Sequence, residues 1–118
     1  MKIGIVGSRT RNTEEDFRKV QEAFLAIYKS GDMIVSGGCP KGGDKFAEKL
    51  AKSHNISISI YPANWEKYGK SAGFIRNTDI AEESDILIAC VADARIGGTE
   101  DTIKKFKKIH PRQTIILC

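Results

Sequence analysis

A glycine-rich turn between an apolar run and the start of a helix constrains this chain more than any other stretch. Residues 33–44 read MIVSGGCPKGGD, in which residues 33–35 suit a short strand and a helical pattern begins at Gly43-Asp44. A turn of this composition leaves backbone N–H groups uncovered, and the following helix points the positive end of its dipole at them. The stretch therefore predicts either a tight strand-to-helix connection or a cradle for phosphate or another anion.

Four more apolar runs alternate with helical patterns along the chain. Residues 3–6 and 86–89 are continuously apolar, as strands buried on both faces of a parallel sheet are, whereas residues 56–60 alternate between apolar and polar. The last run is residues 114–117. Five strands alternating with helices predict an open parallel α/β sheet with right-handed crossovers and helices on both faces, a three-layer architecture. The two most apolar strands should be central, so we expect the strand order 3-2-1-4-5.

The predicted helices have recognisable ends. The first is expected to begin with a capping box around Asn12 or Thr13 and to end at Gly31. Another helix is expected over residues 72–83, and the last should open at residues 96–101. Between the third strand and Gly73 the chain is polar and contains glycine, which predicts largely irregular structure with room for one helical turn.

Composition bounds the class of protein. The chain has 118 residues, 41% of them hydrophobic and 29% charged, which is typical of one globular domain, residues 1–118. Cys39, Cys90 and Cys118 are odd in number and far apart, and the two histidines share no ligand spacing with them. We therefore expect no disulfide framework, no metal site and no cofactor. No apolar run reaches membrane-spanning length and no signal segment is recognisable, so we expect a cytoplasmic protein without a membrane partner.

The formal net charge of +4 permits anionic partners without specifying one. Much of the positive charge lies in Lys104-Lys105-Phe106-Lys107-Lys108, in the last part of a predicted helix. Cations suit that end of a helix dipole and cover a solvated face. The pattern favours a solvated face over the alternative, a nucleic-acid patch, so nucleic acid is not the expected partner.

Polar, mostly glycine-containing loops follow four of the five predicted strands. They are Gly7-Ser8-Arg9, Ser36-Gly37-Gly38, Pro62-Ala63-Asn64-Trp65 and Gly97-Gly98-Thr99. In an open α/β sheet, ligands bind beyond the carboxyl ends of the strands where the strand order reverses, here between the first and fourth strands. The GxxxxGK[ST] motif is absent and GxGxxG is missing after the first strand, which disfavours ATP-driven phosphoryl transfer and ordinary nicotinamide redox chemistry. The loops together predict an anion or nucleotide site.

These motifs resemble those of the SLOG superfamily over nearly the whole chain. The residues are Gly7-Ser8-Arg9, Ser36-Gly37-Gly38 with Gly42-Gly43-Asp44, Pro62-Ala63-Asn64-Trp65-x-x-Tyr68-Gly69-x-x-Ala72-Gly73-x-x-Arg76-Asn77, and Gly97-Gly98-Thr99-x-Asp101. They are most similar to those of its small stand-alone YspA/YpsA-related branch. The superfamily includes LOG phosphoribohydrolases, the DNA-processing protein DprA and sensor domains that bind NAD-derived nucleotides.

The resemblance implies a Rossmann-like fold and a pocket for a nucleotide or nucleotide derivative, such as NAD, ADP-ribose or a nucleoside monophosphate. It also implies association into a homo-oligomer. The first hypothesis is a sensor or sequestering module without turnover. A DprA-like single-stranded DNA binder is a further alternative, but aromatic residues are not interleaved with the basic stretch.

A phosphoribohydrolase that cleaves the N-glycosidic bond of nucleoside monophosphates is the enzymatic alternative. LOG-type hydrolases use an arginine before the fourth strand and a glutamate in a PGGxGTxxE-like turn; by motif, Arg76 and Asp101 stand in these places. The turn here lacks the proline, and Asp101 is a shorter carboxylate, while Glu100 lies one position early. A shorter carboxylate could lie too far from the ribose for acid–base chemistry, so the resemblance leaves turnover open.

Several residues have two interpretations. Arg9 and Arg76 are expected to contact phosphate rather than merely to be exposed charges. Trp65 either plugs the crossover or stacks on a base, Asp44 either caps its helix locally or contacts ribose, and Cys39 is taken as a small loop residue rather than a nucleophile. The predicted ligand-binding residues are Gly7, Ser8, Arg9, Ser36, Gly37, Gly38, Gly43, Asp44, Asn64, Trp65, Arg76, Asn77, Gly97, Gly98, Thr99 and Glu100.

Overall fold

The computed structural model describes residues 1–39 and 42–118; Pro40 and Lys41 of the glycine-rich turn lie outside the described residues. The described residues form a five-stranded, all-parallel sheet in the order β3-β2-β1-β4-β5, as predicted. The strands are β1 Lys2–Gly7, β2 Met33–Ser36, β3 Ile58–Ile60, β4 Ile86–Cys90 and β5 Ile115–Leu117. With helices around this sheet, the protein has an α/β Rossmann-like fold.

Helices connect consecutive strands. They are α1 Glu14–Ile27, α2 Gly43–His54, α3 Trp65–Tyr68, α4 Ala72–Glu83 and α5 Gly98–Ile109, with a 3₁₀ turn at Gly69–Ser71. No helix within residues 1–39 and 42–118 combines the length and apolar character needed to cross a membrane.

Two hydrophobic clusters, one on each face of the sheet, hold the three layers together. On one face, Phe24 of α1 and Leu50 of α2 pack against Ile3 and Ile34 of the central strands. The opposite cluster joins α4 and α5 to the other face of the same strands; its members are Val6, Val35, Ile80, Ala81, Leu87, Ala89, Ile103 and Phe106. The continuously apolar strands predicted to be central are therefore covered on both sides, which explains their composition.

The predicted capping box of α1 is confirmed, but its predicted end is wrong. Thr13 is the N-cap: its side chain accepts from the Asp16 amide, and the Asp16 carboxylate accepts from the Thr13 amide. The helix ends at Ile27, with Tyr28 in an extended conformation, rather than at Gly31. Gly31 has a φ of 95° in the turn that follows, where the Asp32 carboxylate accepts from the Lys29 amide. This local turn replaces the expected glycine C-cap.

The segment after β3 is more helical than the sequence predicts. Asn64 accepts a hydrogen bond from the Lys67 amide through its side chain and so starts α3, and the 3₁₀ turn then leads directly into α4. The third strand is shorter than predicted, because β3 pairs with β2 only over Ile58–Ile60. Ile56, predicted to lie in that strand, is instead a buried core residue before it.

Candidate functional site

A cavity of about 300 Å³ opens beyond the carboxyl ends of the strands. Its wall includes Gly7 at the end of β1, Arg76 of α4 and Gly98 of α5. The strand order reverses between β1 and β4, so the cavity lies at the position where open α/β sheets bind ligands. The complete lining is Val6, Gly7, Ser8, Arg9, Cys39, Asp44, Arg76, Asn77, Ile80, Ile96, Gly97, Gly98, Thr99 and Thr102.

The amino terminus of α5 faces this cavity without a side-chain cap. Gly97 is the N-cap residue, with a φ of 108° that suits glycine, and no side chain among the described residues caps the first amides of the helix. The first amides of a helix have no partner within the helix, and the dipole adds partial positive charge there. Gly97, Gly98 and Thr99 therefore offer backbone donors to a ligand in the cavity.

The amides of the glycine-rich turn, in contrast, are largely bonded within the chain. The Gly38 amide donates to Ser36 Oγ (3.3 Å), the Cys39 amide to Asp44 Oδ2 (3.1 Å), and the Gly42 amide to Asn12 Oδ1 (3.0 Å). Ser36 itself is fully buried. The structure thus directs these donors to the chain's own oxygens, and the open backbone donors lie at α5.

The start of α2 is pressed onto the end of β1. A Cβ on Gly43 would stand 2.2 Å from the carbonyl carbon of Val6, and a Cβ on Gly42 would stand 2.4 Å from the Ser8 carbonyl oxygen. Glycine at these two positions permits the close approach of the two backbones. Of the two interpretations of the glycine-rich turn, a tight strand-to-helix connection therefore applies to Gly42 and Gly43. Gly43 does not line the cavity itself but packs against Val6 and Gly7, which do.

Asp44 brings a buried carboxylate into the cavity wall. The residue is 8% exposed, and Arg76 Nη1 lies 4.0 Å from its Oδ2, which also accepts from the Cys39 amide. Burial raises the pKa of the Asp44 carboxyl above its ordinary value, although the Cys39 amide, the Arg76 guanidinium and the Gly37 amide act in the opposite direction. Asp44 therefore contributes a buried carboxyl group to the cavity wall and is not only a residue at a helix start.

Arg76 and Asn77 connect the two sides of the cavity. Arg76 donates to the Gly37 carbonyl (3.1 Å) and to Asn77 Oδ1 (3.1 Å), and Asn77 Nδ2 donates to the Gly98 carbonyl (3.3 Å). Asn77 Nδ2 also donates to Asp101 Oδ2 (3.1 Å). These bonds fix the guanidinium between Asp44 and the start of α5, with its charge directed towards the cavity.

Asp101 does not line the cavity. Its Oδ2 accepts from Lys105 Nζ (2.8 Å) as well as from Asn77, so this carboxylate is held along α5 by two donors. Arg76 is 4.0 Å from Asp44, and its link to Asp101 runs through Asn77. Glu100 also lies outside the wall and forms a two-pronged ion pair with Arg95 (2.9 and 3.0 Å).

The structure brings together nine of the predicted site residues in the cavity wall and leaves others outside it. Gly7, Ser8, Arg9, Asp44, Arg76, Asn77, Gly97, Gly98 and Thr99 line the cavity. Ser36, Gly37, Gly38 and Gly43 do not line it, and neither do Asn64, the N-cap of α3, and Trp65, its first residue. Trp65 is 56% exposed, and its ring lies 3.5 Å from the place of a Cβ on Gly73, so it covers the start of α4.

Sequence reasoning missed five lining residues, Val6, Cys39, Ile80, Ile96 and Thr102, as site residues. Two of them had a usable signal in helical spacing. Ile80 follows Arg76 by four positions and Thr102 follows Gly98 by four, so each pair shares a helix face. Among residues 1–39 and 42–118, no group of three or more His, Cys, Asp or Glu side chains is arranged to hold a metal ion.

Comparisons with known proteins leave the family open. The sequence matches no protein-family model, and no solved structure matches it. The chain is similar to the Gene 61 protein of Mycobacterium phage D29, with 26% identity over 83 residues that cover 66% of this chain and 66% of the phage protein. The match thus spans slightly less than two thirds of that relative, whose name states no activity.

Proposed function

We propose that this protein binds a nucleotide or nucleotide derivative in the cavity, as a sensor or sequestering module. The observation that carries the proposal is the uncapped amino terminus of α5, which opens into a cavity that also contains the side chains of Arg9 and Arg76. Backbone donors, a helix dipole and two guanidiniums together favour a phosphate group. The resemblance to SLOG proteins supports the same ligand class.

The cavity wall combines charged and apolar surface, which suits a nucleotide. Arg9 and the start of α5 supply positive charge, whereas Ile80 and Ile96 supply apolar surface. A phosphorylated ligand would place its anion against the former and a less polar part against the latter. A cytoplasmic location and association into a homo-oligomer belong to the same proposal.

The proposal is tested by thermal stabilisation with nucleoside monophosphates, ADP-ribose and NAD. A ligand at about 100 times its Kd raises the free energy of unfolding by about 2.7 kcal/mol, which gives a clear rise in Tm. Absence of stabilisation by every one of these compounds would contradict the proposal.

A negative charge introduced at position 98 tests whether the phosphate binds at the start of α5. Gly98→Asp places a carboxylate at the start of α5, where space is available because the nearest atom to an added Cβ lies 3.8 Å away. We expect roughly ten-fold weaker phosphate-dependent binding, since like charges repel, while the helix start itself tolerates an acidic residue. Gly98→Asn has the same size without the charge and should weaken binding much less. Equal loss in both variants would argue against a phosphate at this position.

A phosphoribohydrolase is the second candidate, favoured by one contact. Asn77 bonds to both Arg76 and Asp101, so the two residues implied by the LOG resemblance belong to one hydrogen-bonded chain. Release of free base from a nucleoside monophosphate, measured by chromatography, should be lost in Asp101→Asn and Arg76→Ala. Activity that both variants retain would exclude these roles, and no release by the wild-type protein would favour binding without turnover.

A further inference from the structure

We infer that the Asp44 carboxylate accepts a hydrogen bond from a ribose hydroxyl of the ligand. The cavity therefore selects a ribonucleoside monophosphate over its 2′-deoxy counterpart and over dinucleotides. This inference rests on the proposed nucleotide function and assigns the other end of the same cavity. It starts from the buried carboxylate, which the phosphate-binding argument does not use.

The region around Asp44 is unsuited to a second phosphate. The Cys39 amide, which would otherwise attract an anion, already donates to Asp44 Oδ2, and the Gly38 amide donates to Ser36. A phosphate placed here would face a carboxylate at close range with few free donors. The anionic part of the ligand therefore belongs at α5, and a neutral, hydrogen-bonding part belongs beside Asp44.

One carboxylate oxygen of Asp44 remains available for such a group. Among the described residues, the Cys39 amide and the Arg76 guanidinium both contact Oδ2, a Cβ on Gly37 would also lie close to Oδ2, and no hydrogen bond or ion pair involves Oδ1. No buried side-chain oxygen or nitrogen among those residues lacks a hydrogen-bond partner, so Oδ1 is accessible, and the cavity is the space that Asp44 lines. An accessible carboxylate oxygen is the group that proteins use to accept hydrogen bonds from ribose hydroxyls.

Contacts at Oδ2 hold the Asp44 carboxylate in place. Arg76 of α4 lies 4.0 Å from Oδ2, Arg9 lines the same cavity after β1, and Glu48 lies one turn further along α2. The Cys39 amide holds Oδ2, so the carboxylate cannot rotate away without losing that bond. A carboxylate fixed in this way discriminates strongly between ribose and deoxyribose, because a ligand that lacks the hydroxyl leaves the carboxylate oxygen without a hydrogen-bond partner.

The size of the cavity favours one nucleotide. Its volume of about 300 Å³ lies at the lower end of the range of roughly 300–1,000 Å³ for small-molecule sites. Arg76 and Asn77 bridge Asp44 and the start of α5, so these two side chains separate the polar ends. A sugar bonded at Asp44 with its phosphate at α5 suits this arrangement, whereas a dinucleotide carries a second nucleoside that would have to extend outside.

The test compares matched ligand pairs by calorimetry on the wild-type protein. Each ribonucleoside 5′-monophosphate is measured against its 2′-deoxy counterpart, with NAD and ADP-ribose alongside. We expect the ribose form of the preferred base to bind at least about ten-fold more tightly, the effect of a hydrogen bond to a charged group. Equal affinity for ribose and deoxyribose forms, or tighter binding of NAD or ADP-ribose than of any monophosphate, would overturn the inference and leave the proposed function standing.

Variants then assign the discrimination to Asp44. Asp44→Asn should reduce the ribose preference to about two-fold or less, while Asp79→Asn, the same change on α4 outside the cavity lining, should retain it. If Asp44→Asn does not fold, Asp44→Ser is used, since its hydroxyl can still accept from the Cys39 amide. A ribose preference that survives in a folded Asp44 variant would overturn the inference. Absence of binding by every compound would instead overturn the proposed function, and the inference with it.

Discussion

At the scale of single residues, the surroundings of Asp44 and Asp101 are the reverse of those that the sequence motifs suggest. Asp101 occupies the motif position of a catalytic carboxylate but is held by Lys105 and Asn77 outside the cavity. Asp44, which reads as a helix-start residue, is buried in the cavity wall beside Arg76. The difference arises because each carboxylate takes the nearest donors in space, which need not be near in sequence.

Asp44 makes stability depend on pH in a defined direction. Because burial raises its pKa, the folded protein holds this proton more tightly than the unfolded chain does. Its contribution to the free energy of unfolding therefore falls as pH rises from about 3.9 through the raised pKa. In Asp44→Asn, the Tm relative to wild type should increase over this interval and then remain level. Thermal unfolding at a series of pH values measures it, and a flat difference between Asp44→Asn and wild type would contradict the assignment.

Cys90 should resist alkylation in the folded protein. It is fully buried in the core, and burial raises the pKa of its thiol to about 11. At pH 8 only about one molecule in a thousand then carries the reactive thiolate. Cys39 is half-buried and lines the cavity. Brief treatment with iodoacetamide and peptide mass spectrometry should find Cys39 labelled and Cys90 unlabelled until urea unfolds the chain; rapid native labelling of Cys90 would show that the core opens locally.

At the scale of elements, the starts of α2 and α5 are alike in sequence and different in packing. Both have a glycine N-cap with positive φ and no side-chain cap. The start of α2 is pressed onto the end of β1, whereas a Cβ on Gly97 would meet nothing within 4 Å. Of these two helix starts, as far as the described residues show, α5 is therefore the one that a ligand can approach freely.

The packing of α2 predicts opposite effects for two alanine substitutions. Gly43→Ala should destabilise the protein by at least about 3 kcal/mol, because the new methyl would overlap the backbone of Val6 and Gly7. Gly73→Ala on α4 should stabilise by about 0.5 kcal/mol, since its methyl would make only an ordinary 3.5 Å contact with Trp65. Urea unfolding of both variants measures the difference. A small effect at Gly43 would mean that α2 can move away from β1.

At the scale of the whole molecule, Arg11 ties three separate parts of the chain together. Its guanidinium donates to Asp16 Oδ1 (2.7 Å), to the Val91 carbonyl (2.7 Å) and to the Cys118 carbonyl oxygen (3.3 Å). The loop after β1, the end of β4 and the end of β5 thereby share one side chain. This link stabilises the sheet edge from which the cavity opens.

Arg11→Lys should lower the free energy of unfolding by about 1–3 kcal/mol, since a single ammonium cannot serve these acceptors with the same geometry. Arg18→Lys, at an exposed position on α1, is the control and should change little. Burial raises the pKa of Asp16, but hydrogen bonds from Arg11 and Thr13 outweigh it and the net pKa is lowered. The Arg11–Asp16 contribution should therefore be lost as pH falls through that lowered pKa. Equal stability of both variants at neutral pH would contradict the role of Arg11.

Local pattern predicted the architecture well. The apolar runs and their alternation with helical patterns led to the observed strand order, and the capping box at Thr13 marked the start of α1, because each depends on periodicity or on contacts within one turn. The end of α1 was predicted wrongly for the same reason: a turn closed by Asp32 competed with Gly31, and both are plausible locally. The loops that surround the cavity also follow from topology, since parallel strands end at one edge.

Which backbone donors stay free could not be read from the sequence. The Gly42 amide is bonded by Asn12, thirty positions away, and the Cys39 amide by Asp44 across the turn. A glycine-rich turn looks the same in sequence whether or not such oxygens reach it. The fold brings those acceptors to the turn opened by Ser36, whereas no side-chain acceptor of the described residues caps the first amides of α5. The anion site proposed for this protein thus moves from the most conspicuous stretch of sequence to α5, because long-range hydrogen bonds had already satisfied the former.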